Sequence, residues 1–125
     1  MIKFYPNYFK KEDHRGEMIG LINEGNWKEM NFFSTNPNQL RGHHFHKETD
    51  ELFIILKGKV KIKLTKVSDK GKLIGETASF EAKEGDVFII PKMIHHVFEI
   101  VKKTEWINAL SLKMSDKDPD IYSVK

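Results

Sequence analysis

Between Lys59 and Leu64 the chain alternates residue by residue: Val60, Ile62 and Leu64 are apolar, while Lys59, Lys61 and Lys63 are charged. A period of two puts the first set on a buried face and the second in water, so the run predicts a half-buried β-strand. Leu52–Leu56, just before it, is apolar throughout and predicts burial on both faces near the centre of the fold. The two runs make one arm, Leu52–Thr65, of a hairpin whose other arm is Leu40–His46. Further strands are expected at Glu17–Asn23, Trp27–Ser34, Lys72–Phe80 and Asp86–Ile90, then at His95–Val101 and Trp106–Met114, joined by Lys102–Glu105. Turn signals separate them at Glu24-Gly-Asn26, Asn36-Pro-Asn38, Ser68–Gly71 and Ala82–Gly85, and Pro91 breaks the run before it. Residues 2–9 are aromatic, are interrupted by Pro6, and read as an edge strand or an arm able to pair with a second subunit. Lys10–Gly16 reads as a polar turn, and the tail from Ser115, with Asp116, Asp118, Pro119 and Asp120, as surface. No segment has an amphipathic helical period. About nine short strands predict an all-β sandwich or barrel, with the jelly roll among the options.

The 125 residues suit one domain, 1–125, large enough to bury roughly two thirds of its unfolded surface. Apolar content of 39% and aromatic content of 11% argue for a globular chain over a disordered one. The net charge of +3 comes from lysines scattered along strand faces, which is the pattern of a solvated surface and not of a nucleic-acid footprint. It mildly favours an anionic small-molecule partner. The absence of cysteine excludes thiolate from any metal site or nucleophile and fits a reducing compartment. With no apolar leader and no 18-residue apolar run, a cytoplasmic protein without a membrane partner is expected.

The chemistry concentrates after Arg41. His44 and His46, two apart on a strand, point to one face about 6.5–7 Å from each other. A turn through Lys47–Asp50 brings Glu51 back beside them, so two imidazoles and a carboxylate converge as three metal ligands. A fourth is expected on another strand. Gly85 to His96 supplies a candidate: a glycine turn, an apolar strand closed by Pro91, and histidines on the returning strand.

Taken together, His44-x-His46-x4-Glu51-x6-Gly58 and Gly85-x5-Pro91-x4-His96 resemble the two motifs of the cupin superfamily. Aligning Gly85 and Pro91 selects His96 over His95, and strand parity agrees: His96, Phe98 and Ile100 face inward, His95 and Glu99 outward. Met93 stands where the motif has glycine, and Ile100 where it has asparagine. The resemblance implies a single-domain double-stranded β-helix, or jelly-roll barrel. It also implies a divalent metal on His44, His46, Glu51 and His96, with zinc first and iron, manganese or nickel also suited. The other reading is a barrel whose histidines bind substrate without metal. His43 and His95 are expected outside or behind the site, His14 on the surface, and Trp27 and Trp106 as core or interface aromatics.

Narrower resemblances exist. Arg41-Gly-His-His44-Phe-His46-Lys47 is similar to the RG-x-H-x-H-K segment of nucleotide-sugar 3,4-ketoisomerases. Asp13-His-Arg15-Gly16 matches the D-x-R-G of those enzymes and of sugar 3,5-epimerases, and Ser115 to Tyr122 looks like the ending of the zinc cupin domain of capsular polysaccharide enzymes. These imply isomerase or epimerase chemistry on a nucleotide-linked 4-keto hexose in surface polysaccharide biosynthesis, through an enediolate, by a homodimer. The base of those families maps onto His44. A ligating histidine has no lone pair to spare, so His44 is either ligand or base; with a metal on all four, the base falls to a metal-bound hydroxide, Glu48 or His43. The catalytic candidates are therefore His44, His46 and Glu48, and the substrate-binding candidates Arg15, Arg41 and His43, the guanidinium groups suiting diphosphate or sugar. Ketoisomerases place a tyrosine on the strand spanning 30–34, where this chain has Phe32 and Phe33, so the acid is unassigned. A metal-dependent oxygenase and a non-catalytic sugar-binding cupin are the competing expectations.

Overall fold

The computed structural model describes residues 2–125. Among them are nine strands: β1 (Lys3–Phe4), β2 (Phe9–Asp13), β3 (Gly16–Gly20), β4 (Glu29–Thr35), β5 (Leu40–His44), β6 (Glu51–Val67), β7 (Leu73–Lys83), β8 (Val87–Ile90) and β9 (Ile94–Leu110). Among the described residues no helix is long and apolar enough to cross a membrane.

Two antiparallel strands of 17 residues, β6 and β9, carry the architecture. Their pairing runs from Glu51↔Leu110 to Lys66↔Ile94, and each half of each strand has a different neighbour on its other side. Along β6 the neighbours are β8 and then β7; along β9 they are β5 and then β4. Phe53 and Ile55 from the first half of β6 pack in the same cluster as Val60, Ile62 and Leu64 from the second. Phe98 and Trp106 do the same from the two halves of β9. The sheet is thus folded over on itself around one apolar core.

Gly58 makes this possible. Its φ is +97°, and the β6–β9 register slips around it. A Cβ there would collide with the Lys103 carbonyl oxygen and stand 2.6 Å from Thr104 Oγ1, so only glycine fits. Thr104 is fully buried beneath the bend, where its hydroxyl accepts from Lys59 N–H at 3.2 Å and donates to the Lys102 carbonyl at 2.6 Å.

Several expectations are corrected. His95–Val101 and Trp106–Met114 are not two strands joined by a turn. They are parts of β9, which ends at Leu110. The exposed Val101–Lys103 segment is the outside of a bend, and the inward parity of even-numbered residues continues through it to Thr104, Trp106 and Asn108. Lys10–Gly16 is not a polar turn: Phe9–Asp13 is β2, which pairs with β3 in a two-stranded ribbon off the main sheet. The strand read as Glu17–Asn23 stops at Gly20, after which Leu21 and Ile22 pack on a second small cluster with Leu52, Val87 and Ala109. Leu56 is 39% exposed, so burial on both faces does not reach the end of the Leu52–Leu56 run. His95, expected to face outward, is buried, with its ring 5.3 Å from that of His43. The tail from Ser115 does lie on the surface, and it is anchored there where Phe45 and Tyr122 exchange backbone hydrogen bonds at 3.0 Å in both directions.

Candidate active site

A bulge delivers His44 to the inner face. Gly42 and His43 both adopt left-handed backbone, at φ +80° and +62°, and the β5–β9 register slips so that His44 sits opposite His96. The extra residue, His43, is pushed outward. A Cβ on Gly42 would lie 2.7 Å from the His96 carbonyl oxygen and 3.1 Å from its Cδ2, so this close approach requires glycine. Met93 holds the turn before β9 at φ +63° despite lacking glycine's freedom, and its N–H donates to the His46 carbonyl at 2.7 Å. The result is that one ligand atom from each of His44, His46, Glu51 and His96 lies within 4.8 Å of the others.

The hydrogen bonds behind these side chains fix what they present to one another. His46 Nδ1 lies 2.7 Å from the Asp120 carbonyl oxygen, and His96 Nδ1 lies 3.2 Å from that of Ile94. A carbonyl only accepts, so both Nδ1 atoms carry the proton and both Nε2 atoms offer lone pairs when the rings are neutral. Those lone pairs face a carboxylate. His46 Nε2 touches Glu51 Oε1, and His96 Nε2 is 3.4 Å from it. Both His46 Nε2 and Glu51 Oε1 are buried, and neither finds a hydrogen-bond partner among the described residues. Three acceptors gathered in a buried place are unfavourable until a cation joins them, whether proton or metal. The donor set of imidazoles and a carboxylate suits a divalent ion, so the group could hold one.

Charge follows the same logic. Burial alone would raise Glu51, but His46 and His96 hold its carboxyl well below the usual carboxylate range. Burial opposes a proton on His46, yet Glu51 and the Asp120 carbonyl lift it above the ordinary imidazole value. His44 is pushed down to about 4 by burial and then by His96 and His46, so it is neutral at pH 7.

The second Glu51 oxygen is held from behind. Asn108 Nδ2 donates to Oε2 at 3.0 Å, and Asn31 Nδ2 donates to Asn108 Oδ1 at 3.1 Å. In front of the group opens a cavity of about 160 Å³ whose walls include Phe33, Arg41, Phe53, Phe98 and Trp106. Phe33 stacks on Trp106 at 5.3 Å, and the Arg41 guanidinium stands 5.3 Å above Phe33 while its Nε donates to Thr35 Oγ1. The Trp106 indole nitrogen is buried and has no hydrogen-bond partner among the described residues. A group that could hold a cation therefore borders an aromatic pocket with one guanidinium at its wall.

The family model described as the polysaccharide biosynthesis C-terminal domain matches residues 11–122. The chain belongs to this family. Among solved structures, the domain is similar to the capsular polysaccharide assembling protein CapF from Staphylococcus aureus, with 22% identity and a TM-score of 0.69 over 97% of this chain. The match spans only 35% of CapF, so the domain corresponds to about a third of that protein. It is similar to a 3,4-ketoisomerase from Helicobacter canadensis, with 20% identity, a TM-score of 0.73, and coverage of 96% of this chain and 88% of the other. It is similar also to dTDP-4-dehydrorhamnose 3,5-epimerase from Elizabethkingia anophelis, with 19% identity, a TM-score of 0.77, and coverage of 99% and 80%. At these identities the likeness establishes the fold, the all-β cupin-type jelly roll. No curated protein matches the sequence.

The polysaccharide biosynthesis domain brings some of the expected site residues together and separates others. His44, His46, Glu51 and His96 converge, and Arg41 reaches the pocket that His44, Glu51 and His96 line. Arg15 does not: it lies on the β2–β3 ribbon, paired to Asp13 at 2.6 Å with a side chain 79% exposed, in a different recess. Glu48 lines a recess with Thr49, Asp118 and Asp120 on the other side of His46. His43 sits outside the pocket with its ring 5.3 Å from His95. Three contributors were not singled out from sequence for the site: Asn108, Trp106 and Asp120. The first two continue the inward parity of β9 and become visible once that strand is read as unbroken. Asp120 carries no comparable periodic signal.

Proposed function

We propose that this domain is an isomerase or epimerase of a nucleotide-linked 4-keto hexose in surface polysaccharide biosynthesis. The observation that carries it is the set of buried lone pairs of His46, Glu51 and His96, the last two lining an aromatic pocket with Arg41 at its wall. His46, Glu51 and His96 would hold a divalent ion, zinc first. When bound it supplies a Lewis acid that stabilises negative charge on a substrate oxygen.

His44 is the one histidine of the group that is half-buried, and it lines the pocket. It takes the proton from the carbon next to the ketone through a ring nitrogen. A base with a pKa near 4 is weak, so the reaction depends on stabilising the enediolate oxygen. Arg41 contributes a fixed positive charge for the enediolate or the diphosphate. Phe33 and Trp106 exclude water, and the Trp106 N–H is a spare donor for a substrate oxygen. Protonation of the same carbon by a second donor on its opposite face epimerises it; transfer of the proton from C3 to C4, with the C3 hydroxyl proton passing to the C4 oxygen, moves the ketone to C3.

The test is incubation of the protein in D2O with a panel of nucleotide-linked 4-keto-6-deoxy hexoses, followed by NMR. Deuterium at C3 or C5 with the ketone still at C4 identifies an epimerase, and a ketone at C3 an isomerase. No exchange with any sugar, together with oxygen consumption by the iron(II)-loaded protein, would replace this reading with an oxygenase.

A further inference from the structure

The segment that closes the chain reaches back to the site from the side opposite the pocket. Its one residue of left-handed backbone, Asp120 at φ +54°, aims two different groups at the turn between β5 and β6. The carboxylate accepts from Lys47 N–H and Glu48 N–H, each at 3.0 Å, and from the Thr49 hydroxyl at 2.7 Å. The backbone carbonyl of the same residue accepts the His46 Nδ1 proton at 2.7 Å. Two residues on, Tyr122 is bonded to Phe45 through both backbone groups, and the Lys47 ammonium lies 4.1 Å from the centre of the Tyr122 ring. Every residue from Phe45 to Thr49 is thereby tied to a stretch more than 70 positions away.

We infer that segment 118–122 is a strap with Asp120 as its clasp, and that it sets the tautomer and direction of His46 and so governs how tightly the site holds a metal. Asp120 is a positioning residue, since it touches no point where ion or substrate would sit. The left-handed backbone is what lets one residue serve both ends. It turns the carbonyl toward His46 while the side chain covers the three donors of the turn. With the Nδ1 proton fixed on a carbonyl, the lone pair of His46 is committed to Nε2, the atom that faces Glu51. If the clasp opens, the ring is free to rotate or to move its proton to Nε2, and one ligand lone pair is lost from the set. The inference rests on the metal reading given above.

The test is metal affinity of the full chain, measured with zinc against a chromophoric chelator, for the wild type and for Asp120→Ala, Asp120→Gly and Asp120→Asn. The tautomer of His46 is read in parallel from long-range 1H–15N NMR spectra of the metal-free protein, at a pH above the imidazolium range. Glycine tolerates the left-handed backbone, so a loss common to Ala and Gly is a loss of the carboxylate and not of the dihedral angle. Both are expected to weaken zinc roughly 10–100-fold and to mix the Nε2–H tautomer into His46, with Asn partly restoring both. Unchanged affinity and tautomer in Ala and Gly would overturn the strap, as would a loss of thermal stability with affinity intact. Should wild-type protein bind no zinc while His46→Ala is equally inert, the metal reading fails. The tautomer spectra then decide the strap by themselves, a pure Nδ1–H form in the Asp120 variants counting against it. If Asp120→Ala does not fold, Thr49→Val removes one of the three carboxylate bonds and is expected to give a smaller shift in the same direction.

Discussion

His44 and His46 are two residues apart and of one chemical type, yet their surroundings give them opposite protonation behaviour. Burial and two neighbouring imidazoles drive His44 down to about 4, while Glu51 draws a proton onto His46. That division separates their roles. His44→Asn is expected to slow proton exchange by about 10²–10⁴-fold, the usual worth of a general base, while weakening zinc less than about tenfold. A variant that loses zinc as completely as His46→Ala does would instead make His44 a ligand. Asn108 supports the site without touching the ion position, through its 3.0 Å bond to Glu51 Oε2. Asn108→Ala is expected to weaken metal binding roughly 10–100-fold, as measured by the same chelator competition, because Glu51 Oε1 then loses its orientation.

At the scale of elements, the fold depends on a few residues in left-handed backbone. Gly58→Ala places a methyl group against Lys103 and Thr104 at the bend of β6, and is expected to cost about 2–4 kcal/mol in denaturant unfolding. Met93 occupies a similar conformation without being glycine, so Met93→Gly should change stability by less than about 1 kcal/mol in either direction, relief of strain offsetting the entropy of the unfolded chain. A loss as large as that at Gly58 would contradict this account of the turn. The same elements mark how far the sequence could be read. The alternation of Val60, Ile62 and Leu64 with lysines and the parity of His96, Phe98 and Ile100 are local patterns, and β6 and the inward face of β9 follow them. The convergence of His44, His46, Glu51 and His96 was legible only in outline: His96 follows the parity of β9, but β5 ends at His44 and pairs with β9, so the expected hairpin of Leu40–His46 with Leu52–Thr65 does not form. The bend at Val101–Lys103 was not legible, because exposed charges at a bend and at a turn look alike in sequence. Nor was the docking of Asp120 onto the Lys47–Thr49 turn, a contact between distant segments with no period to announce it.

For the whole molecule, the buried His–Glu group makes stability depend on pH in a defined sense. His44 is depressed in the folded state, so its contribution is complete above the unfolded imidazole value of about 6.5 and is lost as pH falls toward 4. Glu51 is depressed too and adds to the loss on the acid side, below the ordinary carboxylate range. His46 is raised, so its contribution is complete below about 6.5 and is lost as pH rises through its elevated folded value. The metal-free protein should therefore be most stable near neutrality, and saturating zinc should extend that stability to alkaline pH by taking the place of the proton on His46. Thermal unfolding across pH, with and without zinc, checks both limbs. A second expectation at this scale concerns association. The two-stranded ribbon leaves Met18 53% exposed and the edge strand β4 leaves Phe32 61% exposed, and both apolar surfaces lie on elements with an open side. Sedimentation of the full chain should give a homodimer, and Phe32→Glu should shift it toward monomer.

In the proposed reaction a cation held by His46, Glu51 and His96 would stabilise an enediolate made by His44 from a nucleotide-linked 4-keto sugar. Deuterium wash-in from D2O at the carbon next to the ketone, followed on one sample through chelation and zinc reconstitution, separates this from a metal-free reaction. Exchange is expected to disappear on chelation and to return with zinc. Exchange at full rate in the chelated protein would contradict it, and would return the histidines to the role of substrate-binding groups in a metal-free barrel.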